Sequence, residues 1–139
     1  MSLKTKVENG IILSDEQKRL LVAFVEYCYR ALDLQKEYSC YLVKDREKHK
    51  IETTAVCFYD KGKIYIYAAD RLFSDVLRSI AHEATHLRQV EHGKTPGENY
   101  LHFSSDLEDN ANELAGKLLN AFSQVMGYKT IYDEHIKTG

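Results

Sequence analysis

Apolar and polar residues follow two different periods along this chain, and the changes of period divide it into elements. Ser14-Asp15-Glu16-Gln17 has the S-x-x-Q form of a capping box, and beyond it Leu20, Leu21, Phe24, Tyr27, Cys28 and Ala31 recur at helical spacing to about Leu34. Tyr41-Leu42-Val43 then reads as a short strand. Thr53 to Tyr59 and Lys63 to Ala68 are rich in β-branched and aromatic residues, and Asp60-Lys61-Gly62 between them gives a hairpin signal. In the second of these segments alternation sends Tyr65 and Tyr67 to one face and Ile64 and Ile66 to the other. Helical spacing returns from Phe73 to about Val90. Gly93 to Phe103, with the sole proline Pro96, reads as a loop, and a further long helix runs from Ser104 or Ser105 to near Gly127. The tail from Tyr128 to Gly139 fits a strand or a short docked segment. A helix, a small antiparallel or mixed sheet and two more helices predict an α+β fold, with residues 1–139 forming a single domain.

Composition narrows the classes of function without choosing one. Of the 139 residues 44% are hydrophobic and 29% charged, an ordinary globular balance. A net charge of −2 leaves no electrostatic footprint for nucleic acid or an anionic membrane, so neither is expected as a partner. No apolar run approaches the eighteen or so residues of a membrane span, and Met1 to Lys6 has no signal-peptide core. Cys28, Cys40 and Cys57 are odd in number, lack C-x-x-C spacing and lie in apolar or aromatic surroundings. Buried free thiols in a reducing cytoplasm are the expectation.

The chemistry gathers at His82-Glu83-Ala84-Thr85-His86. On a helix Phe73, Val76, Leu77, Ile80, Ala84 and Leu87 form one apolar stripe, and His82 and His86 fall roughly 160–200° around from its centre. Two histidines one turn apart can bring their imidazoles to one point, which suits Zn2+. Glu83 beside them can then reach a water on the metal. A solvent-facing pair on a wet helix surface is the alternative.

A third ligand is sought among Asp106, Glu108, Asp109 and Glu113. On the following helix Leu107, Ala111, Leu114, Ala115, Leu118, Phe122 and Val125 define the buried stripe. Asp106, Asp109 and Glu113 point roughly 140–200° away from it, whereas Glu108 lies on its flank. An inward carboxylate needs a partner, and a metal ion on the two histidines would supply one. Ser105-Asp106-Leu107-Glu108 also fits a capping box, which would occupy Glu108 without any metal.

HEATH followed by Glu108-Asp109-Asn110-Ala111 resembles the HExxH…ExxA signature of gluzincin metallopeptidases. The wider string LEDNANELAGKLL is similar to the corresponding segment of ImmA/IrrE-type and related phage-associated metallopeptidases, and the small size resembles the minigluzincins. The likeness covers roughly residues 63 to 122. It departs from the ImmA/IrrE type after Leu118-Leu119, where Asn120 stands in place of a frequent proline. No helix-turn-helix partner is recognisable here either, so a repressor-clearing role stays open.

The resemblance implies a zincin-like fold and a peptidase. Zinc on His82, His86 and Glu108 would lower the pKa of a bound water, and Glu83 would act as the general base in peptide-bond hydrolysis. It also implies Asn112 as a group orienting Glu108 or His82, and an extended peptide or protein substrate along an edge strand Ile64-Tyr65-Ile66-Tyr67. By position, Tyr100 and His102 are the candidates for stabilising the transition state. Two rival classes remain: a non-catalytic zinc-binding regulatory or interaction module, and a metal-free interaction domain. Substrate and oligomeric state are not encoded in any readable motif.

Overall fold

The computed structural model describes residues 2–94 and 103–139. Its order is β1 (Leu3–Val7), β2 (Ile11–Ile12), α1 (Asp15–Ala31), β3 (Tyr38–Val43), β4 (Ala55–Phe58), a 3-10 turn (Tyr59–Lys61), β5 (Lys63–Tyr67), α2 (Phe73–Glu91), α3 (Ser105–Val125), α4 (Tyr128–Asp133) and β6 (Lys137–Thr138). Among the described residues the result is a mixed α+β arrangement of four α-helices and a small mixed sheet. Strands run in the order β1-β3-β5-β4, with β2 and β6 forming a separate pair.

Helix α1 begins where its capping box lies: Ser14 Oγ accepts from the Gln17 amide at 3.0 Å, and Gln17 Oε1 accepts from the Ser14 amide at 2.9 Å. The hairpin is also present. β4 pairs antiparallel with β5 after Gly62 turns the chain at φ +65°, a conformation glycine adopts at little cost. β1 and β3 add to the other side as parallel neighbours, Leu3 opposite Tyr38 and Cys40 opposite Ile64. Parallel pairing is why β1 escapes a sequence reading: Lys4-Thr5-Lys6 carries no apolar alternation, and its partner strand lies beyond a whole helix.

Ile64 and Ile66 point inward and are fully buried, while Tyr65 and Tyr67 stay partly exposed on the outer face. There Tyr65 stacks on Tyr41 at 4.8 Å and on His49 at 5.1 Å. The inner face packs with α1 and α2 through Leu20, Leu21, Phe24, Leu42, Phe73, Leu77 and Ile80. Phe122 of α3 meets Phe24 edge-on at 5.1 Å. Val125 departs from the expected stripe: its side chain lies at the last turn of α3 and is 79% exposed, because the chain leaves the core there.

The tail is both a short helix and a strand. Ile131 and Ile136 are fully buried, and Leu72 forms a β-bridge with His135. Glu134 O accepts from the Phe73 amide at 2.8 Å, satisfying an N–H that the uncapped start of α2 would otherwise leave open. The tail thereby fixes where α2 begins. Cys28, Cys40 and Cys57 are free and buried, and burial pushes all three thiols well above the usual range. No helix among the described residues is long and apolar enough to cross a membrane.

Candidate metal centre

Helix α2 is buried on more than its apolar stripe. Phe73, Val76, Leu77, Ile80, Ala84 and Leu87 are in the core as expected, yet Ser79, Glu83, Thr85, His86 and Gln89 on its other sides are buried too. The surface opposite the stripe, for which a wet face was the alternative to a metal site, is covered by α3. His86 is therefore 2% exposed and not part of a wet helix face, whereas His82 keeps an opening toward a cleft. A polar helix face can be buried in this way when its groups satisfy one another.

They do so around one point. His86 Nε2 lies 3.2 Å from His82 Nε2, and Glu108 Oε1 lies 2.6 Å from His86 Nε2 and 3.0 Å from His82 Nε2. Two residues of α2 and one of α3 thus form a cluster that can hold a metal ion. Glu108 reaches it because α3 starts one residue earlier than the capping-box alternative requires. Ser104 is the N-cap, its Oγ accepting from the Leu107 amide, and the Glu108 carboxylate turns to the histidines instead of back to the backbone.

Gln89, which the sequence reading passed over, sets the orientation of His86. Its Nε2 donates to Leu107 O at 2.8 Å and to Asn110 Oδ1 at 3.0 Å. Its Oε1 is then the atom facing His86 Nδ1, at 2.8 Å. Because that oxygen only accepts, Nδ1 must carry the proton, and Nε2 offers a lone pair to the cluster. Burial lowers the pKa of His86 below its ordinary range; His82 acts in the same direction, and the bonds to Gln89 and Glu108 oppose it. A neutral Nε2 facing a carboxylate oxygen places two acceptors together, the donor set a cation satisfies. Gln89 follows His86 by one helical turn, a spacing that could have flagged it. Phe103 adds a ring stacked on His86 at 3.8 Å.

Glu83 lies beside the cluster and outside it, with its Oε2 3.7 Å from His82 Nε2. Burial, and then the charge of Glu108, raises its carboxyl to about 8 from an ordinary value of 4.5. Both face a cleft of about 540 Å3 bordered by α2, α3 and β4.

Two expectations change here. Ile64, Tyr65, Ile66 and Tyr67 do not form an edge strand: β5 is paired on both sides, by β3 and β4, so its backbone has no free row of donors and acceptors. The edge on this side is β4, and residues 53–57 line the cleft. Asn112 borders the cleft but bonds to neither Glu108 nor His82 among the described residues; the orienting contact present is that of Gln89, held by Leu107 O and Asn110, on His86. Tyr100 and His102 lie outside the described residues. Glu113 points to solvent and pairs with Lys117 at 2.9 Å.

No family model, curated protein or solved structure matches the chain.

Proposed function

We propose that this protein is a zinc-dependent metallopeptidase of gluzincin type, with a zincin-like fold and a peptide or protein substrate. The observation that carries the reading is the convergence of His82, His86 and Glu108 beside a buried Glu83 that shares their cleft. Tetrahedral zinc with ligands at about 2.0–2.1 Å sets neighbouring donors about 3.3 Å apart. Two of the separations here, 3.2 and 3.0 Å, lie near that spacing, and the third, 2.6 Å, is shorter, so the Glu108 oxygen would move outward to admit the ion. Two imidazoles and one carboxylate are also the ligand types of a catalytic site that keeps a fourth position open.

Zinc bound here supplies a Lewis acid that acidifies water and polarises a carbonyl. The remaining work falls to the chain. Glu83 accepts the proton of the attacking water and returns it to the leaving amine. Its buried position gives it a high proton affinity, and positive charge placed alongside brings that affinity down toward neutral pH, where a general base is most effective. Gln89 and Phe103 hold His86 in one tautomer and one orientation. The free edge of β4 offers backbone groups to an extended peptide, a geometry that suits hydrolysis of an unfolded segment. Tyr100 and His102 are retained as candidates for stabilising the oxyanion.

The experiment is cleavage of a mixed peptide library by zinc-loaded protein, read by mass spectrometry, with Glu83→Gln in parallel. Wild type is expected to cleave and Glu83→Gln to keep zinc while losing hydrolysis. A wild type that binds zinc but cleaves nothing would favour the non-catalytic zinc module. A Glu83→Gln variant with full activity would remove the general-base role.

A further inference from the structure

The wall of the cleft that leads away from His82 carries two arginines. Arg71 lies in the connection from β5 to α2, and Arg78 lies on α2 one turn before His82. Arg71 is half-buried and gives its donors to neutral oxygens: Nη1 to Tyr67 O at 2.7 Å, Nη2 to Ser79 Oγ at 3.0 Å and to Asp75 O at 3.2 Å. Arg78 makes no hydrogen bond or ion pair among the described residues. Its Nη1 rests over Gly116 of α3, where an added Cβ would come within 3.3 Å. Asp75 and Glu52 also border the cleft, so its charge is mixed. Neither arginine is paired with a carboxylate within 4 Å among the described residues, however, and a cation at the wall of a half-enclosed cleft is stabilised by an anion brought to it.

Position gives this pair a role. Four residues of helix place Arg78 about 6 Å from His82 along the axis. An extended peptide advances about 3.3 Å per residue, so a group one or two residues from the reacting bond comes within reach of a side chain at this position. We infer that this end of the cleft is a carboxylate subsite: Arg78 binds a substrate carboxylate one or two residues from the cleaved bond, and Arg71, held in the same lining by its own hydrogen bonds, adds positive charge. The carboxylate is either an acidic side chain or a free C-terminus. A planar guanidinium can grip it through two parallel hydrogen bonds, which lysine cannot do. The inference rests on the metallopeptidase reading for the word substrate, but binding at the subsite does not require turnover.

The test therefore measures binding to the full chain, both metal-free and zinc-loaded. Three probes are titrated while the Nε–Hε signals of Arg71 and Arg78 are followed by NMR. They are acetylated trialanine with a free C-terminal carboxylate, the same peptide as a C-terminal amide, and the amide with glutamate in the middle position. At least one carboxylate probe is expected to bind about tenfold more tightly than the neutral amide and to shift the Arg78 signal. That advantage should disappear in Arg78→Gln and shrink as salt is raised. Whichever carboxylate probe gains identifies the source, C-terminus or side chain. Equal binding of charged and neutral probes, no binding of any probe, or an advantage that survives Arg78→Gln overturns the inference. Failure of the zinc-loaded protein to cleave any peptide would overturn the peptidase reading and leave this result standing by itself.

Discussion

Glu108 and Glu113 lie five residues apart on α3 and meet opposite surroundings. Glu108 turns toward α2, its side chain 44% exposed, with one oxygen against two imidazole nitrogens. Glu113 is 63% exposed and reaches one turn along its own helix to Lys117. The residue type is the same, and both spacings from HEATH suit a third metal ligand. The difference is a matter of helix face. Placing Glu113 at the histidines would require α3 to roll, drawing Ala111, Ala115, Leu118 and Phe122 out of the core. Several such side chains at about 1.5–3 kcal/mol each for the larger ones forbid that roll.

Substitution of the two glutamates should widen the contrast. Glu108→Ala is expected to weaken zinc binding by more than about a hundredfold, beyond the range usual for residues that only support a ligand. Competition with a chelator measures it. A Glu108→Ala variant that binds as wild type would place the third ligand elsewhere.

Glu83 supplies the next effect, in the metal-free protein. Its carboxyl sits at about 8 when folded, against 4.5 ordinarily. Between those values the folded state holds a proton that the unfolded state has released, so this group's contribution to stability is full below about pH 4.5 and is lost as pH rises through about 8. Glu83→Gln cannot ionise. Relative to wild type it should gain stability, on the order of a few kcal/mol, as pH rises across that window. Urea unfolding of both proteins at several pH values reads the difference directly. Parallel pH curves would show that Glu83 titrates normally in the fold.

Gln89→Leu is expected to cost about 10–100-fold in metal affinity, because it frees His86 to change tautomer. Nitrogen-15 NMR of the imidazole in metal-free protein should show the Nδ1–H form in wild type and a mixture in the variant. An unchanged tautomer would remove Gln89 from the site. The smallest effect belongs to the other glutamate: Glu113→Ala should leave zinc affinity within about twofold and the melting temperature unchanged, since exposed pairs contribute little.

The same contrast explains how far the sequence could be read. Periodicity located α1, the β4–β5 hairpin, α2 and α3, because each buries a stripe set by its own spacing. It also separated Glu108 from Glu113. It could not report what covers the second side of α2, since that depends on α3 packing there, and a solvent-facing histidine pair therefore stayed open as the alternative. The edge position of the β5 segment was implied by the family resemblance, and no local pattern could correct it, because strand order in a mixed sheet follows from long-range parallel pairing with β3. Gln89 was missed because a glutamine on a polar helix face carries no signal until its partners, Leu107 O and Asn110, are brought across from another helix.

His82, His86 and Glu108 are expected to hold one metal ion together. Elemental analysis of protein purified without added metal, and again after dialysis against zinc, tests this most directly. About one zinc per chain, lost in Glu108→Ala and retained in Glu113→Ala, is the predicted result. No transition metal in the wild-type protein, even after dialysis, would contradict the account.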